Sequence, residues 1–315
     1  MKNIMIAISS LMVVGIAFLI IIYESREPLL SPEAKLIKTP QTEGISEPEK
    51  QPLEAIKTSS DLNYSLQNNQ LHITYDNGEK WNEVPIEMDQ LFAGEYQGNR
   101  QELIGGSYEM TEELVAFLYS EGEDWQTQTI KITYTEDKGE TWNESVVKDE
   151  ALAMRFRKLN ITNDGFWTVI FTFDRTMSQE ASAIYLSNDQ GENWQIISTP
   201  DSTRLVADGS FVDQNTGFMS YGTINPEAPT LYVTNDQGET WEQAVFNMPN
   251  KYEKVFVIAR APPIKEKDHL ELIMEQGPNG DYYRNGLIKA KFISTDNGHT
   301  WEFVEEVEPE NEKMG

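Results

Sequence analysis

Apolar and polar residues alternate through most of the chain beyond residue 60. Gln70-Leu71-His72-Ile73, Ile130-Lys131-Ile132-Thr133-Tyr134, Ala183-Ile184-Tyr185-Leu186, Leu231-Tyr232-Val233 and Lys291-Phe292-Ile293 share a period of two. That period puts successive side chains on opposite faces of a strand. Each run meets a short polar turn and then a second short run, such as Trp142–Val147, so each reads as a β-hairpin. Two more strands fit ahead of each later hairpin: Leu103–Tyr108 with Leu114–Tyr119, Leu152–Leu159 with Phe166–Phe171, Leu205–Val212 with Phe218–Gly222, and Val255–Ala259 with Leu270–Met274. In the first unit Leu62–Leu66 pairs with Leu71–Thr74, and its innermost strand comes from about 53–58. Four strands per unit is the content of a propeller blade, which must stack on neighbours to bury both faces.

The hairpin turns repeat one pattern, [S/T]-x-D-x-G-x-x-W. The five copies carry Asp76, Gly78 and Trp81; Asp137, Gly139 and Trp142; Asp189, Gly191 and Trp194; Asp236, Gly238 and Trp241; and Asp296, Gly298 and Trp301. The carboxylate accepts backbone N–H groups of its own turn, the Ser or Thr hydroxyl assists, and Gly supplies the positive φ. The Trp is expected to bury its ring against the hairpin.

The pattern resembles the Asp-box, or BNR, repeat of bacterial β-propellers, a family that includes sialidases and photosystem assembly factors. The resemblance covers roughly 60–310 and implies an all-β fold of four-stranded antiparallel blades, five by box count and possibly six. Residues 50–66 are the candidate for closing the last blade.

Ahead of the repeats the pattern changes twice. Residues 4–23 carry no charge, and at 1.5 Å per residue they span about 30 Å, enough for a bilayer core. Residues 1–23 are therefore expected to be a transmembrane anchor or a signal segment, and 24–52, with Pro28, Pro32, Pro40, Pro48 and Pro52, a flexible linker. The propeller occupies 53–315. An anchor flanked by Lys2 implies a single-pass protein of the bacterial cell membrane with its propeller outside.

Charge and composition narrow the partners. The chain has 25 basic and 52 acidic residues, a net charge of −27, which excludes a phosphate-binding nucleic-acid protein. With no Cys there are no disulfides or thiolate sites, and with three His no imidazole cluster is expected. The boxes lack the acid series of a calcium loop, so neither a metal nor another cofactor is expected.

Strand order places all five boxes on one rim. The longer loops, 87–100, 120–128, 174–182, 224–229 and 275–285, lie on the other, which is the expected functional face. Candidate ligand-binding residues there are Arg157, Arg175, Arg204, Arg260 and Arg284. The sialidase resemblance implies an arginine clamp (Arg157, Arg175, Arg260), a Tyr nucleophile (Tyr282), its Glu base (Glu180) and an Asp acid (Asp208). The family's Arg-Ile-Pro stretch has no counterpart before Thr74. The leading expectation is therefore non-catalytic recognition of an envelope protein or glycan, with a sialidase-like glycoside hydrolase as the alternative.

Overall fold

A computed structural model describes residues 50–58, 61–162, 164–277 and 282–309. They form five sheets built almost wholly from consecutive antiparallel strands. Blade 1 holds β1 (Ile56–Lys57), β2 (Asn63–Ser65), β3 (Gln70–Thr74) and β4 (Asn82–Glu87); blade 2 holds β5 (Tyr108–Met110), β6 (Val115–Glu121), β7 (Gln128–Thr135) and β8 (Asn143–Ala151). Blade 3 holds β9 (Arg157–Ile161), β10 (Trp167–Phe173), β11 (Ala181–Ser187) and β12 (Gln195–Ile197); blade 4 holds β13 (Val206–Phe211), β14 (Gly217–Tyr221), β15 (Thr230–Thr234) and β16 (Glu242–Gln243). Blade 5 is larger. It contains β18 (Phe256–Ile258), β19 (Ile264–Lys265), β20 (Leu270–Gln276), β21 (Lys289–Ser294) and β22 (Thr300–Val307), and its edge is extended by β17 (Val245–Asn247), which pairs parallel to β22.

The core lies between blades rather than within them. One apolar cluster joins blade 1 to blade 2 through Leu71, Ile73, Val84, Phe117 and Tyr119. Others join blades 2 and 3, 3 and 4, and 4 and 5. Among the described residues no cluster combines blades 1 and 5. The alternation explains this stacking: β6 and β10 are buried on both faces, whereas outer β8 alternates buried Ser145 and Val147 with exposed neighbours.

The boxes also work between blades. Within box two, Thr135 Oγ1 donates to Asp137 Oδ1 (2.8 Å), Gly139 N–H to Thr135 Oγ1 (2.9 Å) and Thr141 N–H to Asp137 Oδ1 (2.9 Å). The outer strand of the preceding blade then hooks the turn. Asn82 Nδ2 donates to Lys138 O (2.7 Å), and the Ser145 and Ser198 hydroxyls donate to Gly191 O and Gly238 O. Gly298 shows why Gly is required: its φ is +91°, and a Cβ would lie 2.4 Å from Phe218 of blade 4.

All five box carboxylates are held below the usual range by the hydrogen bonds of their turns; in Asp296 those bonds outweigh an opposing effect of burial. Asp137, bonded first by the Thr141 side chain, sits at about 2. A carboxylate whose pKa is depressed by folding stabilises the fold above its unfolded value and loses that contribution as pH falls through the folded one. Stability should therefore drop between pH 4 and pH 2. Urea titrations of Asp137→Asn across that window should show a shallower fall than the wild type; parallel curves would refute the box as the acid-sensitive element.

Several expectations are corrected. No helix among the described residues is long and apolar enough to cross a membrane, and the segment 4–23 lies outside them. Among the described residues the fold is all-β and propeller-like, and the transmembrane helix, with the membrane partner, single-pass localisation and extracellular placement that rested on it, finds no support there. Strand β5 starts at Tyr108 rather than Leu103 because Ser107 N–H turns back to Ile104 O (3.0 Å) and Gly106 takes φ +84°. Strands β1 and β2 complete blade 1, and it is β17 that extends the edge of blade 5.

Candidate functional site

The inner strands β5, β9 and β13 belong to blades 2, 3 and 4 and lie side by side. Leu159 N–H of β9 donates to Gly106 O (2.7 Å), and Phe211 N–H of β13 donates to Asn160 Oδ1 (3.2 Å). The three strands carry Glu109, Lys158 and Asp208, and β9 carries Arg157 beside Lys158. Lys158 Nζ pairs with Asp208 Oδ1 at 3.3 Å. Burial raises the Asp208 carboxyl against that attraction, and its Oδ2 is buried without a hydrogen-bond partner. Burial pushes Glu109 up to about 6, opposed by the Lys158 charge and the Ile161 N–H.

Glu109 also lines a cavity of about 340 Å³ between blades 2 and 3 on the box rim. Three further carboxylates, Glu113, Glu136 and Asp164, line it, with Thr111 and Gln190 as uncharged polar groups. A carboxyl that keeps its proton near pH 6 beside other carboxylates can donate a proton while a neighbour accepts one. Glu109 and Lys158 escaped the sequence reading, which followed loops and arginines. For Glu109 the signal is a lone charge between Tyr108 and Met110 in the short inner strand β5; Lys158 sits next to Arg157 and has no such signal.

On the opposite rim the candidate residues are dispersed. Arg157 is 1% exposed and donates through Nη2 to the carbonyls of Ala93 (2.7 Å) and Tyr96 (3.0 Å); burial lowers its pKa to about 10. It fastens the 93–96 loop to blade 3. Glu180 is buried and accepts from Val206 N–H (2.6 Å) and the Thr172 hydroxyl (3.0 Å). Burial raises its pKa, and Arg155 and Arg175 lie near enough to act on it. Arg260 pairs with Glu275 (3.3 Å), and Arg284 with Glu306 (3.1 Å) and Glu308 (2.8 Å), so neither pair joins the Glu180 group. Arg175 donates from Nε to Thr176 O (3.2 Å), and Arg204 from Nη1 to Thr230 Oγ1 (2.9 Å). Tyr282 is 62% exposed, next to residues 278–281, which lie outside those described. Among the described residues no group of three or more His, Cys, Asp or Glu is arranged to hold a metal ion.

The sequence profile of the BNR/Asp-box repeat matches residues 292–303, the fifth box. No curated protein matches. Among solved structures the chain is similar to the Hadza microbial sialidase Hz136 at 16% identity, covering 82% of this chain and 59% of that one, with a TM-score of 0.42. It is similar to a protein of unknown function from Dyadobacter fermentans (14% identity, 71% and 65% covered, TM-score 0.42). A third similarity is to CoXyl43, a GH43 β-xylosidase/α-arabinofuranosidase from a compost microbial metagenome (11% identity, 64% and 77% covered, TM-score 0.37). The chain is a BNR/Asp-box-like β-propeller. Likeness at these scores says nothing of its activity.

Proposed function

We propose that this protein is a glycosidase-like propeller that hydrolyses a glycan in the cleft between blades 2 and 3, with Glu109 as general acid. The observation supporting it is a carboxyl raised to about 6 in a cavity lined by three more carboxylates. Protonated Glu109 gives its proton to the glycosidic oxygen as the bond to the anomeric carbon breaks. A neighbouring carboxylate takes the proton of the attacking water, so one water is consumed and the donor is restored by proton exchange. The cleft lies on the box rim, away from Tyr282 and Glu180 of the sialidase-like set; Asp208 of that set is joined to Lys158 behind it.

The test is release of reducing sugar from a panel of neutral and acidic oligosaccharides at pH 5–6. Turnover that falls as pH rises past 6 supports the reading; no turnover on any member sinks it. A second reading, non-catalytic binding of a protein or glycan through the loop rim, is favoured by Tyr96, Trp125 and Met177, which stand 51%, 62% and 89% exposed there. Saturable binding without turnover, lost in Trp125→Ala, would select it.

A further inference from the structure

Most arginines of the propeller are neutralised. Arg100 pairs with Asp89, Arg155 with Glu180, Arg260 with Glu275 and Arg284 with Glu306. Arg204 is different. It lines a cavity of about 250 Å³ on the loop rim between blades 3 and 4, together with Ser178, Gln179, Leu205, Gly222 and Ile224. Among the described residues no carboxylate pairs with it. Its guanidinium is nevertheless held: Nη1 donates to Thr230 Oγ1 at 2.9 Å, and the group lies against Gly222 so closely that a Cβ there would sit 2.9 Å from Nη2. Gly222 takes φ +95°, the backbone conformation that permits this approach. A fixed guanidinium with unclaimed N–H groups is arranged to receive a carboxylate through two parallel hydrogen bonds. The loss of side-chain freedom on binding is already met by the Thr230 bond and the Gly222 contact.

We propose that this cleft is a binding subsite for a sugar acid, a single uronate residue whose carboxylate sits on Arg204. The choice of a sugar rests on the carbohydrate reading above and on the other walls. Ser178 and Gln179 bring hydrogen-bonding side chains for ring hydroxyls, while Leu205 and Ile224 offer an apolar surface for the face of the ring. The cavity has room for about one sugar ring. It lies on the rim opposite the Glu109 cleft, so it serves to hold the sugar acid rather than to cleave it. The strong negative charge of the whole protein does not prevent this: at physiological salt charges are screened over about 8 Å, and the guanidinium governs the field inside its own cleft.

Titration calorimetry of the full-length chain with galacturonate, trigalacturonate and, as neutral controls, galactose and trigalactose tests the proposal. It reads binding, so a protein that hydrolyses nothing still reports on this site. Uronates should bind and neutral sugars should not. Monomer and trimer of equal affinity would identify a free sugar acid as the ligand, and a tighter trimer a polymer; both support the site. Arg204→Gln should weaken binding roughly 10- to 100-fold, and Arg204→Lys less, since it keeps the charge but loses the fork. Ile224→Glu, at a 42% exposed position, puts a competing carboxylate beside Arg204 and should also block binding without touching the core. Equal binding of acidic and neutral sugars, no binding of uronates, or wild-type affinity in both Arg204→Gln and Ile224→Glu would overturn it.

Discussion

Glu109→Gln is expected to reduce glycan turnover by roughly 10²- to 10⁴-fold, the usual contribution of a positioned general acid. The amide keeps the shape of the side chain and can still accept the Ile161 N–H bond, so the loss would isolate the proton. The same substitution has a second, opposite consequence. The Glu109 carboxyl has its pKa raised by folding, from an ordinary 4.5 to about 6. The folded state holds the proton more tightly, so the wild type loses stability as pH rises from 4.5 through 6. That shift corresponds to at most about 2 kcal/mol, less whatever water reaches the carboxyl through the cleft. Glu109→Gln has no such titration. Relative to wild type it should gain stability between pH 4 and pH 7 while losing activity. An inactive variant whose urea midpoint tracks the wild type at every pH would mean that Glu109 is not held above its ordinary value, and the acid role would fall with it.

The gain and loss together would mark a residue kept at a cost to the fold. Removing Lys158 offers a check in the other direction. Its charge restrains both Glu109 and Asp208, so Lys158→Gln should move the upper limb of the pH–activity profile to higher pH. It would also leave Asp208 buried without its partner at 3.3 Å and weaken the fold.

The blades were legible because a period of two and a repeated turn are local signals. Thr135, Asp137 and Gly139 satisfy one another inside eight residues, so their sequence is enough to state their bonds. The cleft around Glu109 was not legible in the same way. Glu109 becomes unusual only when β5 is packed beside β9, since neither its burial nor the Lys158 charge is written near it in sequence. Attention to arginines led instead to Arg260 and Arg284, which turn out to pair with acids on adjacent strands or beyond their ends. In a chain with twice as many acids as bases, Arg100, Arg155, Arg260 and Arg284 all find such partners. Arg204 is informative because it lines a cavity with no carboxylate paired to it among the described residues. Strand β17 was missed for a related reason: Val245-Phe246-Asn247 has no alternation of its own and is recruited by β22, more than fifty residues away.

That recruited strand makes the five box tryptophans unequal, and Trp301→Ala should be the most damaging of their truncations. Trp301 is fully buried, whereas Trp81, Trp142, Trp194 and Trp241 are half-buried. The difference is Phe246 of β17, which stacks on Trp301 with ring centroids 6.2 Å apart and planes 12° apart, while Phe218 of blade 4 meets it edge-on at 6.2 Å. Its Nε1 is satisfied by Gly298 O at 3.0 Å. Truncation removes this packing from both sides and leaves a cavity, a loss of about 3–5 kcal/mol for a buried Trp. Trp194→Ala, whose ring is partly solvated, should cost clearly less. The two rings around Trp301 also predict coupling. Once Phe246→Ala has uncovered the indole, Trp301→Ala should cost less than it does alone, a non-additivity of contacting residues. Amide exchange at Val245–Asn247 should accelerate in either single variant, because the parallel pairing to β22 depends on that stacked pair. Equal denaturation midpoints for Trp301→Ala and Trp194→Ala would show that β17 adds nothing to the fifth blade and that the boxes are energetically equivalent.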